Sequence, residues 1–180
     1  TIIRHTDELK EMVNEFSNFA RLPEIALSSN DLNSAVREVV TLFSQAHPDV
    51  EFRTELEPKL PVFEFDRDQI KRVFVNLLDN AVAALAPLAT KGPKIVRISS
   101  DFNDHLKLAL VSVRDNGLGM DDEVKAKLFE PYFSTKREGT GLGLAIVKRI
   151  IIDHEGFIRV QSNPGPAENQ GTEFLIELPT

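Results

Sequence analysis

Cysteine is absent from these 180 residues, so neither a disulfide nor a cysteine-ligated metal contributes to the fold or the chemistry. No apolar run is long enough to span a bilayer, and no signal peptide opens the chain. Long basic runs are missing as well, and the net charge is −7, which argues against a nucleic-acid platform. That acidity does not exclude a nucleotide, because Mg²⁺ can neutralise much of a phosphate's charge. There is no internal repeat. Position 1 is Thr1 rather than methionine, so the sequence reads as a piece of something longer, with any sensing or membrane segment outside it. What remains is enough chain for one domain with a good core plus an appendage.

The chain is organised around Gly139-Thr140-Gly141-Leu142-Gly143-Leu144-Ala145-Ile146-Val147-Lys148, which continues as an apolar segment to Ile152. A glycine loop entering a helix aims free backbone N–H groups at one point, where the helix dipole also favours negative charge, and the natural occupant is a polyphosphate. By itself such a run also fits a tight turn against a neighbouring strand. Two motifs upstream give it weight: Asn76-Leu77-Leu78-Asp79-Asn80-Ala81 and Asp115-Asn116-Gly117-Leu118-Gly119.

Taken in order, residues 2–20 place Ile2, Leu9 and Phe16 seven apart, with Met12, Val13 and Phe19 between them, and Pro23 ends the stripe. This is either a helix folded onto the domain or a dimerisation helix. His5, near its start, reads as a surface residue. A loop follows, then a helix over residues 32–46 capped by Asp31, with Val36, Val39, Val40 and Phe43 inward. Residues 50–56 alternate as a half-buried strand, and 62–65 form a short one. Asp66 and Gln69 have the form of a capping box, opening a helix with Ile70, Val73, Phe74, Leu77, Leu78, Ala81 and Leu85 on one face. Asn76 and Asn80, four apart, stack at the edge of that face, and an amide oxygen is a suitable hard ligand for Mg²⁺.

Residues 94–100 and 106–114 read as a hairpin with His105 in its solvated turn, and the second strand runs into Asp115. A carboxylate there, followed by two glycines, can accept a hydrogen bond from a flat ligand's amino group; an ordinary Asp-Asn-Gly turn fits equally well. A short helix capped by Asp121 precedes residues 128–138, an aperiodic loop with aromatic anchors and the bases Lys136 and Arg137, which fits a lid closing over a ligand. A deeply packed helix over 141–154 ends at Gly156, with His154 structural in its last turn, and two closing strands follow at 157–162 and 172–178.

Motifs in this order resemble the ATP-binding domain of sensor histidine kinases, a branch of the superfamily shared with gyrase, Hsp90 and MutL. Asn76 to Ala81 is similar to the N box, Asp115 to Gly119 to the first glycine box, Phe129 to Phe133 to the F box and Gly139 to Gly143 to the second glycine box; Gly171-Thr172 and Leu178-Pro179 match the usual ending. Residues 15–23 further resemble the end of the second dimerisation helix in nitrogen-regulation-type kinases.

The resemblance implies an α/β two-layer sandwich of the Bergerat type, with a mixed sheet, helices on one face and a preceding N-terminal helix. It divides the chain into the end of a dimerisation helix at 1–23 and a catalytic ATP-binding domain at 31–180. It implies ATP and Mg²⁺ as cofactors, with Asn80 as metal ligand and Asn76 beside it. Asp115 would read the adenine amino group, supported by Thr172 through water. Gly117, Gly119, Gly139, Thr140, Gly141, Leu142 and Gly143 would form the lid and phosphate loops, and Lys136 would contact the γ-phosphate. Asn80 and Lys136 are the residues expected to act directly in catalysis.

Two departures sharpen the expectation. Ala83 stands where many relatives carry a base, so the lid would have to meet the phosphate charge. Asn76 stands where ATPase and serine-kinase branches carry a glutamate base, which favours transfer to histidine over hydrolysis. The implied protein is the catalytic half of a cytoplasmic kinase, its parent cytoplasmic or attached to the inner membrane, homodimeric through its dimerisation helices and passing phosphate to a response regulator. The phosphoacceptor histidine is expected outside this chain. The alternatives are an ATPase of the gyrase and MutL kind and a degenerate, non-catalytic dimerisation or regulatory module.

Overall fold

A computed structural model describes residues 24–88, 92–135, 139–165 and 170–180. The helix expected over 2–20, with His5, and the bases Lys136 and Arg137 lie outside the described residues.

Alternation in the strands and a 3.6-residue period in the helices both point apolar side chains at one interface. Strand β1 (Ser28–Asn30) pairs antiparallel with β3 (Phe63–Phe65). The main sheet runs β2 (Glu51–Leu56), β4 (Ile95–Asn103), β5 (Leu108–Asp115), β7 (Gly171–Pro179) and β6 (Phe157–Asn163), in that order. Only β2 and β4 are parallel; the remaining neighbours are antiparallel. Helices α1 (Leu32–Ala46), α2 (Arg67–Leu85) and α4 (Gly143–Asp153) pack against one another and the sheet, while the short α3 (Asp122–Lys127) lies outside the core. Val96 and Ile98 of β4, Val111 and Val113 of β5, and Phe174, Ile176 and Leu178 of β7 bury against Leu77, Leu78, Ile146 and Ile150. This is the two-layer α/β sandwich with a mixed sheet that the motifs imply.

The expected caps form. Asp31 accepts from Ser34 N at 2.9 Å and Asp121 from Val124 N at 2.8 Å. Asp66 caps α2 but not as a simple capping box. Its Oδ1 accepts from Asp68 N and Gln69 N, and its Oδ2 from Ala26 N at 3.0 Å and Gln69 Nε2 at 3.2 Å. Its own N–H donates to Nε2 of His154, 3.0 Å away at the end of α4. Nδ1 of His154 therefore carries the proton, donated to Ile150 O at 2.7 Å. His154 is structural, as expected, through this joint between the end of α4 and the start of α2. Residues 28–30 were expected as loop; they form β1 because their main chain, not a hydrophobic pattern, pairs with β3.

Burial pushes the Asp66 carboxyl up, but the N–H donors of Ala26, Gln69 and Asp68 outweigh it and hold the group below the usual range. Its stabilisation is therefore complete above the ordinary aspartate value and is lost as pH falls through the lowered folded value. Asp66→Ala is expected to cost about 2 kcal/mol in urea unfolding at pH 7, a lost cap plus an orphaned donor. Its acid-unfolding curve should be the shallower one.

Candidate functional site

The inward series of β5 is Ala109, Val111, Val113 and then Asp115, so the strand's period carries a carboxylate into the layer interface at its end. Its register partner on β7 is Thr172, which ends the inward series Leu178, Ile176, Phe174. Asp115 is 5% exposed, and Oδ1 accepts from Gly117 N at 2.8 Å and Thr172 N at 3.3 Å. Both donors converge on Oδ1; among the described residues no donor reaches Oδ2. Burial pushes this carboxyl up to about 6, against the opposing pull of those two N–H groups. A buried carboxylate with one uncommitted oxygen is built to accept a hydrogen bond from a ligand.

The loop after β5 is clamped between α2 and β6. A Cβ on Gly117 would stand 2.8 Å from Ala84 O and 2.9 Å from Ala84 Cβ, so only glycine lets the loop seat on the helix. Beyond it, Met120 N donates to Ser162 Oγ at 2.8 Å. Ala84 is one turn past Asn80 and two past Asn76, so one edge of α2 runs from the asparagines to the Asp115 loop.

At the asparagine end lies a cavity of about 480 Å³, lined by Asn76, Asp79 and Asn80 of α2, by Gly139, Thr140, Gly141 and Gly143 and by the loop residues Phe133 to Thr135. Helix α4 opens on it. Aspartates cap α1, α2 and α3, whereas α4, with Leu142 at its N-cap, has no side-chain cap among the described residues, so its first N–H groups are open to a ligand. Asn76 packs against Gly143 and donates from Nδ2 to Arg72 O at 2.8 Å. The aromatic loop is held at its base by Phe129, edge-on to Phe174 at 6.5 Å, and at its tip by Tyr132 N, which donates to Gly141 O at 3.0 Å.

The fold thus brings Asn76, Asn80, Gly139, Thr140, Gly141 and Gly143 around one cavity. Asp115, Gly117, Gly119 and Thr172 are outside its lining; of these, Gly117 seats on Ala84, farther along the same edge of α2. Leu142 is 1% exposed, its side chain in the core, so it can offer a ligand only its main chain. Lys136 lies outside the described residues. Two residues were missed. Asp79 stands in the middle of the motif and lines the cavity, but reads as an ordinary exposed helix position. Ser162 shares the inward period of Ile158 and Val160 and pairs with Thr172, a signal visible only once the strand pairing is known. As for Mg²⁺, the cavity holds hard oxygen donors from Asn76, Asp79 and Asn80, and no group of three or more His, Cys, Asp or Glu side chains that could hold a metal is found among the described residues. That donor set fits an ion shared with phosphates, as Mg²⁺ usually is, and not an all-protein cage.

Residues 65–180 match the family described as histidine kinase-, DNA gyrase B-, and HSP90-like ATPase. The chain is 37% identical to nitrogen regulation protein NtrY of Azorhizobium caulinodans, over 99% of this chain and 23% of that protein. It spans under a quarter of the length of that relative. Among solved structures, the catalytic domain of histidine kinase ThkA has a TM-score of 0.70 at 33% identity, covering 87% of this chain and 96% of that domain. ThkA in complex with the response regulator protein TrrA gives 0.77 at 28% identity, over 99% of this chain and 49% of that one. Full-length ShkA in complex with AMPPNP gives 0.81 at 30% identity, over 99% and 37%.

Proposed function

The chain belongs to the histidine kinase-, DNA gyrase B-, and HSP90-like ATPase family, as an ATP-binding catalytic domain of the sensor-histidine-kinase type, and from that premise we propose how its residues act. The observation that carries the reading is the single cavity in which the asparagines of α2 meet the glycine run and the uncapped start of α4. The adenine is received by Asp115, supported by Thr172, with Gly117 and Gly119 giving the loop its close approach. The triphosphate lies along Gly139, Thr140, Gly141, the main chain of Leu142 and Gly143. Asn80, with Asn76 beside it, offers an amide oxygen to Mg²⁺, and Lys136 meets the γ-phosphate from the lid.

Mg²⁺ would supply charge neutralisation of the phosphates; the chain's own contribution is to bind, orient and exclude water. The γ-phosphoryl goes to a histidine on a dimerisation helix, the parent acting as a homodimer, and then to an aspartate of a response regulator. Residues 1–23 are the end of that helical region and 31–180 the catalytic unit. We place the parent in the cytoplasm or at the inner membrane; no helix among the described residues is long and apolar enough to cross a membrane. A nitrogen-regulation-type kinase is the subclass that the likeness to NtrY favours.

Phosphate release by this chain, measured at Mg-ATP concentrations where calorimetry shows binding, tests the reading. Near-zero release with clear binding is expected, because Asn76 stands at the cavity edge where the ATPase branches carry a glutamate to activate water. Asn80→Ala should bind ATP equally well with Mg²⁺ or with EDTA, whereas the unaltered chain should bind at least about tenfold more tightly with Mg²⁺. Steady turnover that disappears in Asn80→Ala would replace the kinase reading by an ATPase, with Asp79 as the base to test next.

A further inference from the structure

The inward ends of three adjacent strands form a polar row that continues past Asp115. Asp115 ends β5, Thr172 is the second residue of β7 and Ser162 closes the inward series of β6; each is 5% exposed. The Ser162 hydroxyl touches three groups: Met120 N at 2.8 Å, Gly171 O at 3.1 Å and Thr172 Oγ1 at 2.9 Å. A serine hydroxyl has one hydrogen to give and two lone pairs to fill. Gly171 O can only accept, so the Ser162 hydrogen goes there. Met120 N–H takes one lone pair, and the other must receive the hydrogen of Thr172. The three contacts close in one way only.

That closure fixes the polarity of Thr172. Its hydrogen is committed to Ser162, so Oγ1 offers lone pairs alone, in the residue paired with Asp115. Asp115 Oδ2 is an acceptor too. A ligand edge facing this pair must bring hydrogen, which an exocyclic amino group does and an oxo group does not.

We propose that Ser162 is a specificity-determining residue, holding Thr172 as an acceptor so that the site takes a 6-aminopurine nucleotide and rejects a 6-oxopurine one. Ser162 acts through Thr172 and is a positioning residue. The inference rests on the reading of Asp115 and Thr172 as the base-recognising pair. Without Ser162, the Thr172 hydroxyl turns freely and can donate to an oxo group, and the discrimination shrinks.

The test is the ratio of ATP to ITP affinity, by calorimetry and competition, in the unaltered chain and in Ser162→Ala, Thr172→Val, the double variant and Asp115→Asn. Ser162→Ala is expected to lower the ratio about tenfold, the worth of one hydrogen bond, and to lower it no further in the Thr172→Val background. A merely structural serine would weaken both nucleotides alike, or reduce the ratio equally in both backgrounds; either result overturns the proposal. Asp115→Asn separates the two failures. If that variant binds ATP normally, the base-recognition reading falls and takes this inference with it. If it loses ATP while Ser162→Ala keeps the original ratio, the Ser162 proposal alone is wrong. Thermal unfolding is followed in parallel, and if Ser162→Ala does not fold, Ser162→Cys, of similar size with a weak donor and acceptor, is read against the same expected fall.

Discussion

Asp115→Asn should lose nucleotide binding by at least about 100-fold and, in the same protein without ligand, gain stability. The first effect follows from charge-assisted acceptance at Oδ2: the amide puts an N–H₂ or a weaker oxygen where an ionised oxygen met the base. The second follows from burial. The folded carboxyl sits at about 6, pushed up by desolvation against the pull of Gly117 N and Thr172 N, above the ordinary value of 3.8. A raised folded value means that the native state holds its proton more tightly than the unfolded chain. Its contribution is therefore complete below the unfolded value and is lost as pH rises through about 6. Above that pH the ionised group costs about 3 kcal/mol, and its removal should raise the melting temperature by roughly 5–10 °C at pH 7. The two melting curves should converge near pH 4. A variant that melts no higher at pH 7 would mean that the carboxylate is better solvated than its 5% exposure says.

The same titration reaches the ligand. Since the ionised form is the better acceptor, nucleotide affinity should fall below pH 6, and binding at pH 5.5 should release protons, read from calorimetry in buffers of different ionisation heat. Comparison with Asp115→Asn subtracts the titration of the phosphates themselves.

Asp115 also marks where the sequence stops being sufficient. The aspartate at the end of an apolar alternation was legible, as were the face of α2, the caps Asp31, Asp66 and Asp121, and the glycine run, because each is written within a few residues of chain. Its partners were not written in any local pattern: Thr172 entered through the resemblance alone, and Ser162 not at all. The pairing of Asp115 with Thr172 and of Thr172 with Ser162 spans the sheet order β5-β7-β6, which no local pattern encodes. Likewise the donor that Asp66 offers to His154 joins residues 88 apart, and β1 exists only because β3 is beside it. The resemblance supplied the architecture at once and implied that the glycines form the lid and phosphate loops; the structure adds that Gly117 and Gly141 also let two loops touch their supports.

That task makes Gly141→Ala the second large effect. Gly141 has φ +70°, and a Cβ there would stand 2.5 Å from the carbonyl carbon of Tyr132 and 2.8 Å from Phe133 N. These are backbone atoms, which cannot swing aside as a side-chain end can. Tyr132 is itself left-handed, at φ 67°, and donates to Gly141 O at 3.0 Å, so the Tyr132 side of the contact is already strained and glycine keeps the other side free of strain. Alanine adds about 1–2 kcal/mol of left-handed cost and the overlap besides, and the cheapest relief is to part the aromatic loop from the glycine run. Phe129 stays on Phe174, so the loss should be local: global unfolding within about 2 kcal/mol, nucleotide affinity down at least about 50-fold. Gly165→Ala is the control, with φ +127° but nothing among the described residues within 4 Å of its Cβ, and should lower stability without touching affinity. The readout is built in, because the chain has one tyrosine and no tryptophan, so intrinsic fluorescence reports Tyr132 alone. Gly141→Ala should shift that emission in the ligand-free protein and abolish its response to nucleotide, while Gly165→Ala keeps both. Unchanged emission with lost affinity would put the damage in the phosphate loop itself rather than in its contact with Tyr132.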